Sequence, residues 1–211
     1  VTRTIMAFGD SLTWGTNAAA GGRHRYEDRW PTVLEAGLGL GHRVIPEGLG
    51  GRTTAFDDLT AHFDRNGARA LPMLLATHSP LDLVIIMLGA NDLKAFISPT
   101  HHGALAGMTR LVEIIRQFPY SWGMAVPGIL LVSPPHFCNR ASGEGPQSGR
   151  LITESRALAP AYQTLAKAQG CGFFDAATVA RPDTVDGVHL DAENTRAIGA
   201  GLVEPVRAML G

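Results

Sequence analysis

Short uninterrupted apolar runs recur along the chain, each closed by a Gly-, Asn- or Asp-rich turn and followed by a stretch with helical periodicity. They predict strands at 3–8, 43–46, 82–88, 128–133 and 172–175. "LVIIML" and "GILLVS" show no apolar/polar alternation, the mark of strands covered on both faces, as in a parallel sheet between helices. Between the strands, Leu105, Met108, Leu111, Val112 and Ile115 recur at helical spacing, while Arg110, Glu113 and Arg116 take other faces, so 104–118 is predicted helical. Weaker helical patterns occupy 27–38, 68–76 and 154–169, and Pro160 predicts a kink in the last. Asp191 is placed to cap a final helix burying Ile198, Leu202, Val206 and Met209, with Pro205 obscuring its end.

Strands alternating with helices in this way predict an α/β domain, a three-layer α/β/α sandwich on a flavodoxin-like, five-stranded parallel sheet. The 211 residues suit one domain, 1–211, with a single substantial core, and neither an internal repeat nor a low-complexity linker divides them. Right-handed crossovers put every strand-to-helix loop on one edge of such a sheet, where ligands bind beyond the carboxyl ends of the strands. Any residue offered for chemistry should therefore fall in one of those loops.

Composition removes several classes of function. A formal net charge of −1 supplies no basic field for nucleic acid or an anionic membrane. No apolar run approaches the roughly 20 residues of a spanning helix. The two cysteines, Cys138 and Cys171, lack metal or redox spacing; isolated thiols are expected, with a disulfide between them the alternative. The sequence given carries no secretion signal, so with Val1 taken as a processed start the default compartment is the cytoplasm.

Within that frame, "FGDSLTWG" places Ser11 just beyond the first strand. A serine hydroxyl is a poor nucleophile at neutral pH unless a base takes its proton. Of the eight histidines, His189 in "VDGVHLD" follows the fifth strand, and Asp186 precedes it by three residues. In a turn, that carboxylate can hold Nδ1–H and leave Nε2 free for Ser11. An isolated D-x-x-H is more often simple turn chemistry. After the second strand, "EGLGGRTT" offers the Gly51 N–H, and after the third, "LGAND" offers the Asn91 side-chain amide; with the Ser11 N–H they could form a three-donor oxyanion hole. Singly, each is a turn or cap residue. Jointly, they follow four strands whose parallel order brings them to one edge.

These stretches, "FGDSLTWG", "EGLGGRTT", "LGAND" and "DGVH", resemble the four blocks of the SGNH (GDSL) hydrolase family, in order, across residues 8 to 189. The wording "GDSLTWG", "GRTTAFDD", "DLVIIMLG" and "VDGVHL" is similar to that family's bacterial arylesterase/acyltransferase branch. The resemblance implies the SGNH hydrolase fold, with Ser11 as nucleophile, His189 as base, Asp186 as its orienter, and Ser11, Gly51 and Asn91 as oxyanion donors. It implies a serine esterase acting on short-chain or aryl esters through an acyl-enzyme, with water or an alcohol as acceptor, no metal and no organic cofactor. Relatives in that branch are often oligomeric, so a homo-oligomer is expected. Ala90 stands where many relatives have threonine. The absence of G-x-S-x-G around Ser11 argues against the α/β-hydrolase fold.

Two alternatives accompany that expectation: a carbohydrate O-acetyl esterase using the same site, and a non-catalytic ligand-binding domain on a flavodoxin-like scaffold. For substrate contacts, Leu12 and Trp14 beside the serine and Phe137 in the irregular 133–149 segment are candidates. That segment is expected either to act as a lid enclosing the acyl or leaving group, or to be a plain surface loop or oligomer contact. Trp14 is either the floor of an alcohol site or a core aromatic. Asp10 and Asp92 are expected to anchor loops through backbone N–H groups. His101-His102 is expected to start a helix, and "GGRHRYEDR" to be a solvated loop.

Overall fold

Five parallel strands, β1 (Arg3–Gly9), β2 (His42–Gly48), β3 (Leu83–Met87), β4 (Gly128–Ser133) and β5 (Gly172–Asp175), form one sheet in the order β2-β1-β3-β4-β5. The structure, a computed structural model, describes residues 2–121 and 123–211; Val1, taken above as a processed start, lies outside them. This is the flavodoxin-like order, and all five strands fall where the apolar runs predict them, within two residues at each end.

The unbroken apolar runs are explained by two cores, one on each face. Successive side chains of a strand point to opposite faces. Met6, Phe8, Val84, Ile86, Ile129 and Leu131 therefore pack under α3 (Gly67–His78), α4 (His101–Gln117) and α5 (Ile152–Gln169). Ile5, Ala7, Leu83, Ile85, Met87, Leu130 and Val132 pack against α2 (Trp30–Leu38), α6 (Ala192–Gly201) and α7 (Val203–Leu210). The sheet is thus the middle of three layers. A short helix, α1 (Ser11–Trp14), leaves β1 immediately and starts at the candidate nucleophile.

Two helices depart from expectation for reasons of backbone hydrogen bonding. α5 is continuous through Pro160. The carbonyl that Pro160 leaves without a donor belongs to Arg156, and both residues are exposed, so water can meet it. The C-terminal helix divides instead at Leu202, and α7 restarts at Val203. Pro205 then falls in the first turn of α7, where an N–H has no helical acceptor to miss. At the other end, α2 begins at Trp30 rather than residue 27, behind a separate 3₁₀ turn at Tyr26–Asp28. His101 does start a helix, with its N–H and Nδ1 both on Glu154 Oε2 of α5 at 2.7 and 2.8 Å.

Candidate active site

β1, β2 and β3 end in the loops carrying Ser11, Gly51 and Asn91, and the turn after β5 carries Asp186 and His189. The parallel topology sends all of these loops to the carboxyl edge of the sheet.

The Asp186–His189 turn is closed on itself. Asp186 Oδ1 accepts from the N–H groups of Val188 and His189, each at 2.9 Å, and Oδ2 lies 2.5 Å from His189 Nδ1. Burial raises the Asp186 pKa, but the bonds from the His189 ring and from both N–H groups outweigh it and hold the carboxyl down to about 2. An ionised Asp186 can only accept, so Nδ1 carries a proton, and in the neutral ring the lone pair is left on Nε2. Nε2 lies 2.9 Å from Ser11 Oγ.

The turn is supported from the 133–149 segment. Cys138 N–H donates to Gly187 O at 3.1 Å, and Gln147 N–H donates to Asp186 O at 2.9 Å. Gly187 has a φ of +75°, and a Cβ there would sit 2.2 Å from Cys138 O, so only glycine fits. Phe137 is 3% exposed and belongs to the core beneath α5, its N–H bonded to Ser155 Oγ. Its expected place over the substrate is therefore corrected: the ring is buried in that core. The segment braces the Asp186–His189 turn from the side.

Leu12 needs the same correction. It is 5% exposed and packs in the other core cluster with Trp30 and Leu34, so its side chain serves that core. Trp14 belongs to neither core cluster. It is half-buried, with the Arg23 guanidinium 4.8 Å from its ring centroid and Arg23 Nε donating to its carbonyl.

The N–H groups of Ser11 and Gly51 have no acceptor among the described residues. Gly51 has a φ of +81°, and a Cβ there would come within 2.6 Å of the Arg65 side chain. Asn91 bridges the loops: Nδ2 donates to Asp10 Oδ2 at 3.1 Å and to Arg52 O at 3.2 Å. Asp10 caps α1 by accepting from Leu12 N–H, and Asp92 accepts from Thr54 N–H and its hydroxyl, so both anchor loops as expected.

Several buried polar residues had no signal in the sequence pattern. Arg52 and Arg150 are each 5% exposed. Burial pulls both guanidinium groups down to about 10, opposed by Glu47 and Asp10 for Arg52 and by Asp10 and Asp186 for Arg150, so both stay charged. Arg52 Nη1 donates to Gly9 O at 2.9 Å and to Glu47 O, with its guanidinium 4.3 Å over the Phe8 ring. His24, inside the stretch expected to be solvated, is 4% exposed, and its Nε2 lies 2.9 Å from Leu190 O, the carbonyl following His189. Only long-range contacts identify these three. Cys138 and Cys171 are both free thiols, which settles the pair in favour of isolated cysteines.

A serine, an imidazole and a carboxylate in one hydrogen-bonded line, on the edge of a doubly wound sheet where ligands bind, are the groups of a serine hydrolase. The profile of the GDSL-like Lipase/Acylhydrolase family matches residues 7–196, and the chain belongs to that family. No curated protein matches the sequence. Among solved structures, a carbohydrate acetylesterase family member from Sinorhizobium meliloti is 50% identical with a TM-score of 0.94, covering 100% of both chains. A protein from Agrobacterium tumefaciens strain C58 is 52% identical with a TM-score of 0.96 over 99% of this chain and 100% of its own. The aryl esterase of M. smegmatis is 40% identical with a TM-score of 0.89 over 99% of this chain and 100% of its own. The protein is a serine esterase, a hydrolase of carboxylic esters, and the alternative of a non-catalytic binding domain falls. Its substrates are small-molecule esters and water. Among the described residues no helix is long and apolar enough to cross a membrane.

Two outcomes follow from this geometry. Gly187→Ala should lower both the melting temperature and kcat on a small ester, because the Cys138 carbonyl must retreat and draw the Asp186–His189 turn with it. A variant matching wild type in both would count against the brace. Second, burial raises the Asp92 pKa from 3.8 to about 6, against the bonds from Thr54. With the folded value above the unfolded one, its stabilising contribution is full below about pH 4 and is lost as pH rises through about 6. Between pH 7 and pH 5 the wild type should therefore gain melting temperature relative to Asp92→Asn. Parallel changes in the two proteins would refute the assignment.

Proposed function

We propose that the protein cleaves short-chain or aryl carboxylic esters through a covalent acyl-enzyme on Ser11. The 2.9 Å contact between Ser11 Oγ and His189 Nε2, backed by Asp186 on Nδ1, carries this proposal. Ser11 Oγ attacks the ester carbonyl carbon as its proton passes to Nε2, and Asp186 stabilises the resulting imidazolium. The carbonyl oxygen, now carrying the negative charge, is received by the free N–H groups of Ser11 and Gly51. Asn91 Nδ2 joins them by exchanging one of its long contacts, to Asp10 or to Arg52 O, for the oxyanion.

Collapse of the tetrahedral adduct breaks the bond to the leaving oxygen, which takes the proton from His189. Water then enters and its oxygen attacks the acyl carbon as its proton passes to the same nitrogen; the acyl–Oγ bond then breaks, His189 returns the proton to Ser11 Oγ, and the acid leaves. An alcohol entering in place of water yields a new ester, and the acyl-transfer activity proposed here is that partition. The half-buried indole of Trp14, three residues beyond the nucleophile, supplies an apolar face for an aryl or alkyl group. Acetylated carbohydrates form a second substrate class, favoured by the 50% identical relative named a carbohydrate acetylesterase family member. A homo-oligomeric state and a cytoplasmic location, where the free thiols Cys138 and Cys171 would stay reduced, belong to the same proposal.

On p-nitrophenyl acetate, Ser11→Ala and His189→Ala should each lose on the order of 10⁶ in kcat, with the double variant little worse than either. Asn91→Ala should lose ~10²–10³ and remain measurable. A fluorophosphonate should label the wild type and leave Ser11→Ala unlabelled. Wild-type turnover by Ser11→Ala, or labelling that survives it, would overturn the mechanism. Product ratios with a primary alcohol added to water should show ester formation alongside hydrolysis; hydrolysis alone at every alcohol concentration would remove the transfer step.

A further inference from the structure

Arg150 closes the 133–149 segment, immediately ahead of α5, and carries a buried charge that the reaction just described does not use. Its guanidinium fork is fully divided. Nε donates to Ala90 O at 2.8 Å, Nη1 to Gln147 O at 2.7 Å, and Nη2 to Asn91 Oδ1 at 3.0 Å. The loop after β3 and the segment after β4, far apart in sequence, thus meet on one side chain.

The contact with Asn91 has a directional consequence. An amide side chain has two ends of nearly equal size, and only one can donate to an oxyanion. A guanidinium has donors and no acceptor, so it holds the Oδ1 end and excludes the flipped amide. Nδ2 is thereby turned toward Asp10 Oδ2 and Arg52 O, the gap between the Ser11 and Gly51 loops. Two backbone carbonyls, those of Ala90 and Gln147, fix the fork itself, so the orientation is built in before any ester arrives. Lysine cannot reproduce it, because a single ammonium cannot span three acceptors in this planar arrangement.

We propose that Arg150 is a positioning residue for ester cleavage: it fixes the Asn91 amide with its nitrogen facing the oxyanion. This rests on the assignment of Asn91 as an oxyanion donor. A donor held off target is worth little, since a misplacement of about 1 Å can cost on the order of 10²-fold in rate.

The test is a double-mutant cycle on p-nitrophenyl acetate with Asn91→Ala, Arg150→Met, Arg150→Lys and the combined variants, reading kcat and KM separately. Arg150→Met should lose roughly 10–10²-fold in kcat with KM little changed, and Arg150→Lys should recover part of that loss. In the Asn91→Ala background, replacing Arg150 should cost little more, because the group it orients is gone. A purely structural arginine would instead multiply the two losses. Should Arg150→Met not fold, the cycle is read with Arg150→Lys. Wild-type kcat in the Arg150 variants, or losses that multiply across the cycle while Asn91→Ala is itself impaired, would overturn this role alone. Full turnover by Asn91→Ala would overturn the oxyanion assignment and the role of Arg150 with it.

Discussion

The chemistry of this site hangs on one carboxylate. Asp186 accepts two backbone N–H bonds on one oxygen and the His189 ring on the other, so a four-residue turn becomes a rigid clip. Hydrogen bonds to an ionised group are each worth about 1.5–3 kcal/mol when well made, enough to outweigh the cost of part-burying the charge. With its pKa held down to about 2, Asp186 stays ionised throughout the neutral range. The stability it lends is full above the ordinary value of 3.8 and is lost only as pH falls through about 2. Such a carboxylate fixes three things at once: the fold of the turn, the tautomer of the ring, and the direction in which Nε2 points. The clip also depends on its surroundings, since Gly187 admits the Cys138 carbonyl that ties it to the segment after β4.

A second feature organises the neighbouring loops. Asp10, Asp92, Arg52 and Arg150 are each at most 5% exposed, although burying charge is costly. Each reaches out of its own loop or caps a backbone beside the serine. Asp10 holds Leu12 N–H and Asn91, Asp92 holds Thr54, Arg52 holds Gly9 O, and Arg150 holds Ala90 O and Gln147 O. Charged side chains cross-link these loops, and directional bonds to main-chain atoms specify one loop arrangement where dispersion alone would accept several. Burial drives the Asp10 pKa up, while the bond from Leu12 N–H and the charges of Arg150 and Arg52 pull against it.

This division explains what could be read from the sequence. The strands were legible because residues such as Ile85 and Ile86 serve opposite cores, and that double burial leaves a run of consecutive apolar residues. That Ser11, Asp186 and His189 meet was legible because the chemistry proposed for them restricts residue type and the topology restricts position. Arg150 was not, since its partners Ala90 and Asn91 lie 60 and 59 residues away and nothing in its local sequence requires a guanidinium. His24 was hidden in the same way, a buried side chain inside a stretch otherwise rich in exposed charge. The break at Leu202 lay within reach, because a proline three residues on can be accommodated by restarting the helix.

The misplacement of Leu12 has a more instructive cause. Proximity to a nucleophile along the chain is a poor guide when the backbone turns helical at that residue, as it does in α1. Adjacent helical residues diverge by about 100°, whereas residues three apart share a face. Leu12 is consequently turned into the core with Trp30, while Trp14 lies on the same face as Ser11 and remains half-exposed. Once Asp10 is recognised as an N-cap, with its side chain on Leu12 N–H, that helical turn is itself readable from "GDSLTWG". The same cap that sets Ser11 at a helix start therefore sends Leu12 into the core and leaves Trp14 outside both core clusters.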